Sequence, residues 1–107
     1  MSWSVETLNA TVDAELDALP LDMRARFSRI AQLIAEHGLN RLRELYVKHL
    51  DGALWEMRMS GRDGIARAIY VTARGHRVVV VRVFIKKTEK TPRSEIELAR
   101  RRAGEVR

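Results

Sequence analysis

Between Arg77 and Lys86 the chain runs Val78, Val79, Val80, Val81, Val83, Phe84 and Ile85, a nearly unbroken series of branched and aromatic residues. Such a run has no polar face to turn toward water, so it predicts a central strand covered on both sides. The covering layers have to come from the rest of the 107 residues. A chain of that length with 46% apolar content encloses one hydrophobic core rather than two. Residues 1–107 are therefore read as one domain.

The preceding segments supply partners for this strand. Leu54 to Met59 alternates, with Leu54, Glu56 and Arg58 on one face and Trp55, Met57 and Met59 on the other. Two glycines within Ser60 to Gly64 mark a turn, Ile65 to Thr72 is rich in strand formers, and Gly75 marks the next turn. These strands predict an antiparallel meander. Ahead of them the period is helical. Val12, Leu16 and Leu19 share one face of a short helix over Asn9–Leu19, with Asn9 or Thr11 as N-cap. Met23, Phe27, Ile30 and Ile34 continue after Pro20, which suits a first helical position, until Gly38 ends the second helix. Arg24, Arg26 and Arg29 fall off that apolar face and read as a solvated exterior.

Trp3 to Leu8 fits a short N-terminal strand, and residues 39 to 53 read as a connection with helical turns. Thr91 as cap and Pro92 as first residue start a last helix, whose apolar positions are Ile96, Ala99 and Ala103 and whose final turns carry Arg100, Arg101 and Arg102. The order β-α-α-β-β-β-α predicts an α+β fold, an antiparallel sheet packed against an N-terminal helical hairpin and a C-terminal helix.

Composition narrows the function. With 20 Lys and Arg against 14 Asp and Glu the net charge is +6. The pI near 10.5 favours polyanionic partners, whether nucleic acid or an acidic protein. Residues 1–23 hold five acids and no base, leaving 20 bases and nine acids, a net +11, on the remainder, where the functional surface is expected. The chain has no cysteine, which removes disulfides, thiol catalysis and cysteine-based zinc sites. His37, His49 and His76 are far apart and none lies four residues from another, so no metal site is read; His37 suits a helix C-terminus and His76 a hairpin turn. Gly61 and Gly64 lack the Lys-Ser/Thr of a phosphate-binding loop. No apolar stretch approaches the roughly 20 residues that span a bilayer, and a cytoplasmic location is expected.

Basic residues instead recur on the strands: Arg58, Arg67, then Arg82 and Lys86, with Lys87 and Lys90 just beyond. Interior strands avoid arginine unless a carboxylate or a bound anion compensates, so Arg58 and Arg67 require a partner. In one reading Glu56 neutralises them in a structural polar network. In the other, the cations bind phosphates and stabilise the charge that builds on a phosphoryl group as RNA is cut. RNA carries its own nucleophile, the ribose 2′-hydroxyl, so positioning, a proton acceptor, charge stabilisation and a donor to the leaving oxygen suffice without histidine or metal. Like charges push a lysine toward its neutral form, which suits Lys86 or Lys87 as proton acceptor. Tyr70 suits a donor or stacking surface, although a strand tyrosine is more often core.

The sequence words Leu54-Trp55-Glu56-Met57-Arg58, Arg67-Ala68-Ile69-Tyr70, Phe84-Ile85-Lys86-Lys87-Thr88-Glu89-Lys90-Thr91-Pro92 and Glu95-Ile96-Glu97-Leu98-Ala99 resemble the phage-derived branch of the RelE/HigB-type toxins. The resemblance runs from the Leu19-Pro20 junction to Arg102. It implies a RelE-like fold, a type II toxin–antitoxin role and endoribonuclease action on mRNA, often on the ribosome, restrained by a helix-turn-helix antitoxin and needing no cofactor. By position, Arg58 and Arg67 match the family's strand arginines, and Lys86, Lys87 and Lys90 its lysine run. Glu89 stands where relatives commonly have glutamine and Arg82 where many have histidine, which implies a different proton acceptor here. The alternative of a different class is a non-catalytic RNA- or antitoxin-binding module of the same fold.

Overall fold

A computed structural model describes residues 2–42, 46–87 and 90–107. Strand β1 (Ser4–Thr7) leads into helices α1 (Ala10–Asp17) and α2 (Leu21–His37), then a 3₁₀ turn (Leu39–Leu42). Four strands follow, β2 (Val47–Asp51), β3 (Leu54–Gly61), β4 (Gly64–Ala73) and β5 (Arg77–Lys86), and helix α3 (Arg93–Ala103) closes the chain. The sheet order is β1-β5-β4-β3-β2. The predicted α+β class and the antiparallel β3–β4–β5 meander are present. The sheet is nonetheless mixed rather than antiparallel, because β1 pairs parallel to β5, with Ser4 opposite Arg77 and Thr7 opposite Val80.

The second difference is β2, which lies inside the segment read as a connection. It pairs with β3 from Val47↔Met57 to Asp51↔Leu54, across a turn where Gly52 takes φ 56°, a left-handed conformation that glycine adopts without steric cost. His49 Nε2 meets Gly52 O at 2.8 Å and stacks edge-on against Trp55, which steadies the same turn.

Strand β5 separates two cores, as its composition requires. Val78, Val80 and Val83 pack with Val12, Met23, Phe27, Ile30 and Ile34 of the helical hairpin, while Val79, Val81 and Phe84 pack with Leu54, Ile69 and Ala99 under α3. A bulge makes this partition possible. Ile69 pairs with Arg82 but Tyr70 with Val80, so Val81 is the extra residue and the alternation changes phase there. The β1 side of β5 beyond the bulge is tied by charged side chains. Val83 N donates to Glu15 of α1 at 3.1 Å, and Arg102 of α3 donates to Val81 O at 2.9 Å.

Helix ends follow ordinary chemistry with one exception. Asn9 is the N-cap of α1, accepting from Val12 N at 3.1 Å, and Gly38 closes α2 with its amide on Ile34 O at 2.8 Å. Pro20 and Pro92 stand one residue ahead of their helices. Thr91 does not cap α3. Its hydroxyl donates to Glu56 Oε2 at 2.8 Å instead, because the segment before α3 comes back over β3.

Candidate functional site

Helix α3 crosses only part of its face of the sheet, seating Ile96, Ala99 and Ala103 on the side chains from Leu54, Ile69, Val71, Val79, Val81 and Phe84. The remainder of that face is open. Register places the cations there: Lys48 is opposite Glu56, Arg58 opposite Arg67, Arg67 opposite Phe84, and Lys86 opposite Ile65, so all of these side chains share one side of the sheet. The result is a cleft of about 660 Å³ lined by Lys48, Arg58, Gly64, Ile65, Arg67, Lys86 and Lys87.

Two guanidinium groups on directly opposed strand positions repel, so the Arg58↔Arg67 pair requires a counter-charge. Glu56 provides it from below. Glu56 is 2% exposed and Arg67 5%, and Arg67 Nη1 lies 3.1 Å from Glu56 Oε1. Thr91 holds the other carboxylate oxygen. Among the described residues Arg67 Nε and Nη1 have no partner with hydrogen-bond geometry, although both are buried. A buried guanidinium with unfilled donors beside an open cleft suits an incoming oxyanion. Burial pushes the Arg67 guanidinium below its ordinary range, Glu56 opposes that shift, and Arg58 adds to it.

Lys86 is lowered as well. Burial is the largest cause, Arg67 the next, and Lys48 and Arg58 add like-charge repulsion that Glu56 offsets in part. The cleft thus combines several positive charges with a lysine whose pKa is lowered by burial and by its cationic neighbours. Among the described residues, Arg58, Lys48, Lys86 and Lys87 form no ion pair.

Of the residues singled out from sequence, Arg58, Arg67, Lys86 and Lys87 converge on the cleft and Glu56 lies beneath it. Arg82 does not join them. Its Nε meets Glu95 Oε1 of α3 at 2.6 Å and its Nη1 meets Glu15 Oε2 of α1 at 2.8 Å, so its charge is matched twice, and these carboxylates raise its pKa. Tyr70 is 0% exposed and packs on the opposite face with the helical hairpin, out of reach of the cleft. Lys90 is exposed beyond the cleft wall, and Glu89 falls outside the described residues. Lys48, Ile65 and Thr91 are site residues that the sequence reading missed. The Asp51-Gly52 pair, a hairpin signal, would have placed Lys48 on a strand beside Glu56.

Set against known proteins, residues 14–104 match the family described as phage derived protein Gp49-like. The sequence has no significant match among curated proteins. Among solved structures, the crystal structure of the archaeal RelE–RelB complex from Pyrococcus horikoshii contains a similar chain, with a TM-score of 0.59 and 22% identity over 81% of this chain and 98% of that one. That likeness shows a shared fold. Among the described residues no helix is long and apolar enough to cross a membrane.

Proposed function

Since the chain belongs to the Gp49-like family of phage-derived proteins and has the fold of the RelE–RelB neighbour, we propose that it is the toxin of a type II toxin–antitoxin system, an endoribonuclease that cuts mRNA at the ribosome. The observation that carries this reading is the cleft, where unpaired cations surround a buried, Glu56-braced Arg67 with unfilled donors.

In this reading the scissile phosphate enters above Arg67. Arg67 and Arg58 neutralise its non-bridging oxygens, and their contribution grows as negative charge accumulates in the transition state. Lys86, biased toward its neutral form, accepts the proton of the ribose 2′-hydroxyl as that oxygen attacks phosphorus. Lys87, on the cleft wall, donates to the 5′-oxygen as it departs, leaving a 2′,3′-cyclic phosphate and a 5′-hydroxyl. A helix-turn-helix antitoxin encoded with the toxin restrains it by covering this basic face, so its association falls as salt rises. The neighbour was solved as a RelE–RelB complex, which supports an antitoxin partner without bearing on its type.

Inducing the chain in cells without the antitoxin, and mapping new mRNA 5′ ends, tests the proposal. New ends within translated frames are expected, and none with Arg58→Ala/Lys86→Ala shown by circular dichroism to be folded. A folded wild-type chain that produces no new ends would instead make this a non-catalytic RNA- or antitoxin-binding module.

A further inference from the structure

Among the described residues the ladder of β2 with β3 runs as far as Val47↔Met57. Beyond that point a single backbone bond continues, Arg58 N to Tyr46 O at 2.9 Å, and fixes Tyr46 beside Arg58. At this point of the β3 edge a second depression of about 230 Å³ opens, lined among the described residues by Arg26, Tyr46, Arg58 and Ser60. Arg58 lines both this depression and the main cleft and so stands between the two.

Arg26 lies on α2 away from the buried stripe of Met23, Phe27, Ile30 and Ile34. Sequence alone reads it as a solvated exterior residue, yet the fold brings it across from Arg58. Carboxylates meet Arg77, Arg93 and Arg100 on the surface, whereas among the described residues Arg26 and Arg58 have none. Two unpaired guanidinium groups, an aromatic ring and a hydroxyl in one depression are the components that single-stranded nucleic acid uses: cations for phosphate, a ring for base stacking, a hydroxyl for sugar or phosphate.

We infer that the strand of RNA cut in the main cleft continues past Arg58 at the edge of β3 into a second subsite, where Arg26 and Arg58 hold a flanking phosphate and Tyr46 stacks on the adjoining base. This rests on the ribonuclease reading and adds to it the path of the substrate. Cleavage then depends on RNA extending past the scissile step on the Arg26 side.

Fluorescence anisotropy with non-cleavable 2′-O-methyl RNAs of three and nine nucleotides tests the path. Wild type is expected to bind the nonamer more tightly than the trimer. Arg26→Gln should weaken the nonamer by about tenfold, with the loss confined to the longer RNA, and should reduce the salt slope of nonamer binding by about 0.7, the share of one phosphate on a single strand. Tyr46→Leu should cost at least about fivefold on the nonamer, as loss of one stacked base does. Arg29→Gln, on the same helix but bonded to Gln32 and outside the depression, should change neither RNA. Equal losses from Arg26→Gln and Arg29→Gln, or a loss equal for both lengths, would mean diffuse charge and overturn the subsite. Wild type that binds the trimer without gaining from length overturns the subsite alone. Failure to bind either RNA overturns the subsite, and the ribonuclease reading falls with it if induction in cells also yields no new mRNA 5′ ends.

Discussion

Replacing Arg67 and Glu56 singly and together separates what the pair does for the fold from what it does for RNA. At 3.1 Å and an effective dielectric near 20, their mutual attraction is roughly 5 kcal/mol, most of it offset by the cost of removing both charges from water. Either single change forfeits the attraction and leaves a buried charge alone. Arg67→Ala leaves Glu56 with the Thr91 hydroxyl as its hydrogen-bond partner among the described residues, and Glu56→Leu strands Arg67 opposite Arg58. Each should cost about 3–5 kcal/mol, a large share of the roughly 5–15 kcal/mol typical of a whole domain. Thermal denaturation should register each as a fall in Tm of more than about 12 °C. The double variant Arg67→Met/Glu56→Leu places apolar groups in the same space and should return to within about 2 kcal/mol of wild type. A double-mutant cycle by urea denaturation then yields a coupling of several kcal/mol. The restored fold should not restore RNA binding or cleavage, since the guanidinium is gone. Additive single costs would refute mutual compensation, and a stable double variant that still cuts RNA would remove Arg67 from the chemistry.

Three other perturbations follow from the same geometry. Lys86 accepts a proton only when neutral and its pKa is lowered in the fold, so the cleavage rate should rise with pH and level off below the ordinary lysine range near 10.4. Lys86→Arg should flatten the rise, and Lys48→Gln, by removing a like charge, should move its midpoint upward. At Gly61, an added Cβ would lie 2.8 Å from both Asp22 Oδ2 and Met23 Cγ, while Asp22 Oδ2 accepts the Arg62 amide at 2.6 Å. Gly61→Ala should therefore cost about 1–3 kcal/mol in urea denaturation and displace the turn that carries Gly64 and Ile65 of the cleft. Glu15→Ala breaks contacts with Arg82, Arg102 and the Val83 amide at once, and should cost about 2–3 kcal/mol, with faster hydrogen exchange in α3 and at Val83.

Periodicity made most of this fold legible. The Met23, Phe27, Ile30, Ile34 stripe is buried as read, and Trp55, Met57 and Met59 face away from Leu54, Glu56 and Arg58 as alternation requires. Strand β2 was harder because Val47-Lys48-His49-Leu50-Asp51 has few apolar residues and lies at a sheet edge, where one side meets water and composition carries little signal. The parallel pairing of β1 is a long-range choice that local sequence does not encode, and the bulge at Val81 is hidden because it falls at the end of four consecutive valines that show no alternation.

The site divides in the same way. Strand parity puts Arg82 and Lys86 on one face of β5, and the register adds Arg58 and Arg67 to that same face. Whether a cation on that face is available is decided by carboxylates that arrive from elsewhere. Arg82 is met by Glu95, thirteen residues on, and by Glu15 of the distant α1, and so ties α1, β5 and α3 together. Arg67 is held by Glu56 two strand positions from Arg58, close enough to be read from sequence, yet its burial and unfilled donors depend on four strands meeting. Arg26 reverses the case: a helix-surface arginine becomes part of a depression because the fold sets it beside Tyr46 and Arg58 at the edge of β3. The placement of a few acids thus decides which cations of the sheet lack a carboxylate among the described residues, and the position of α2 beside β3 decides which helix arginine lies next to them.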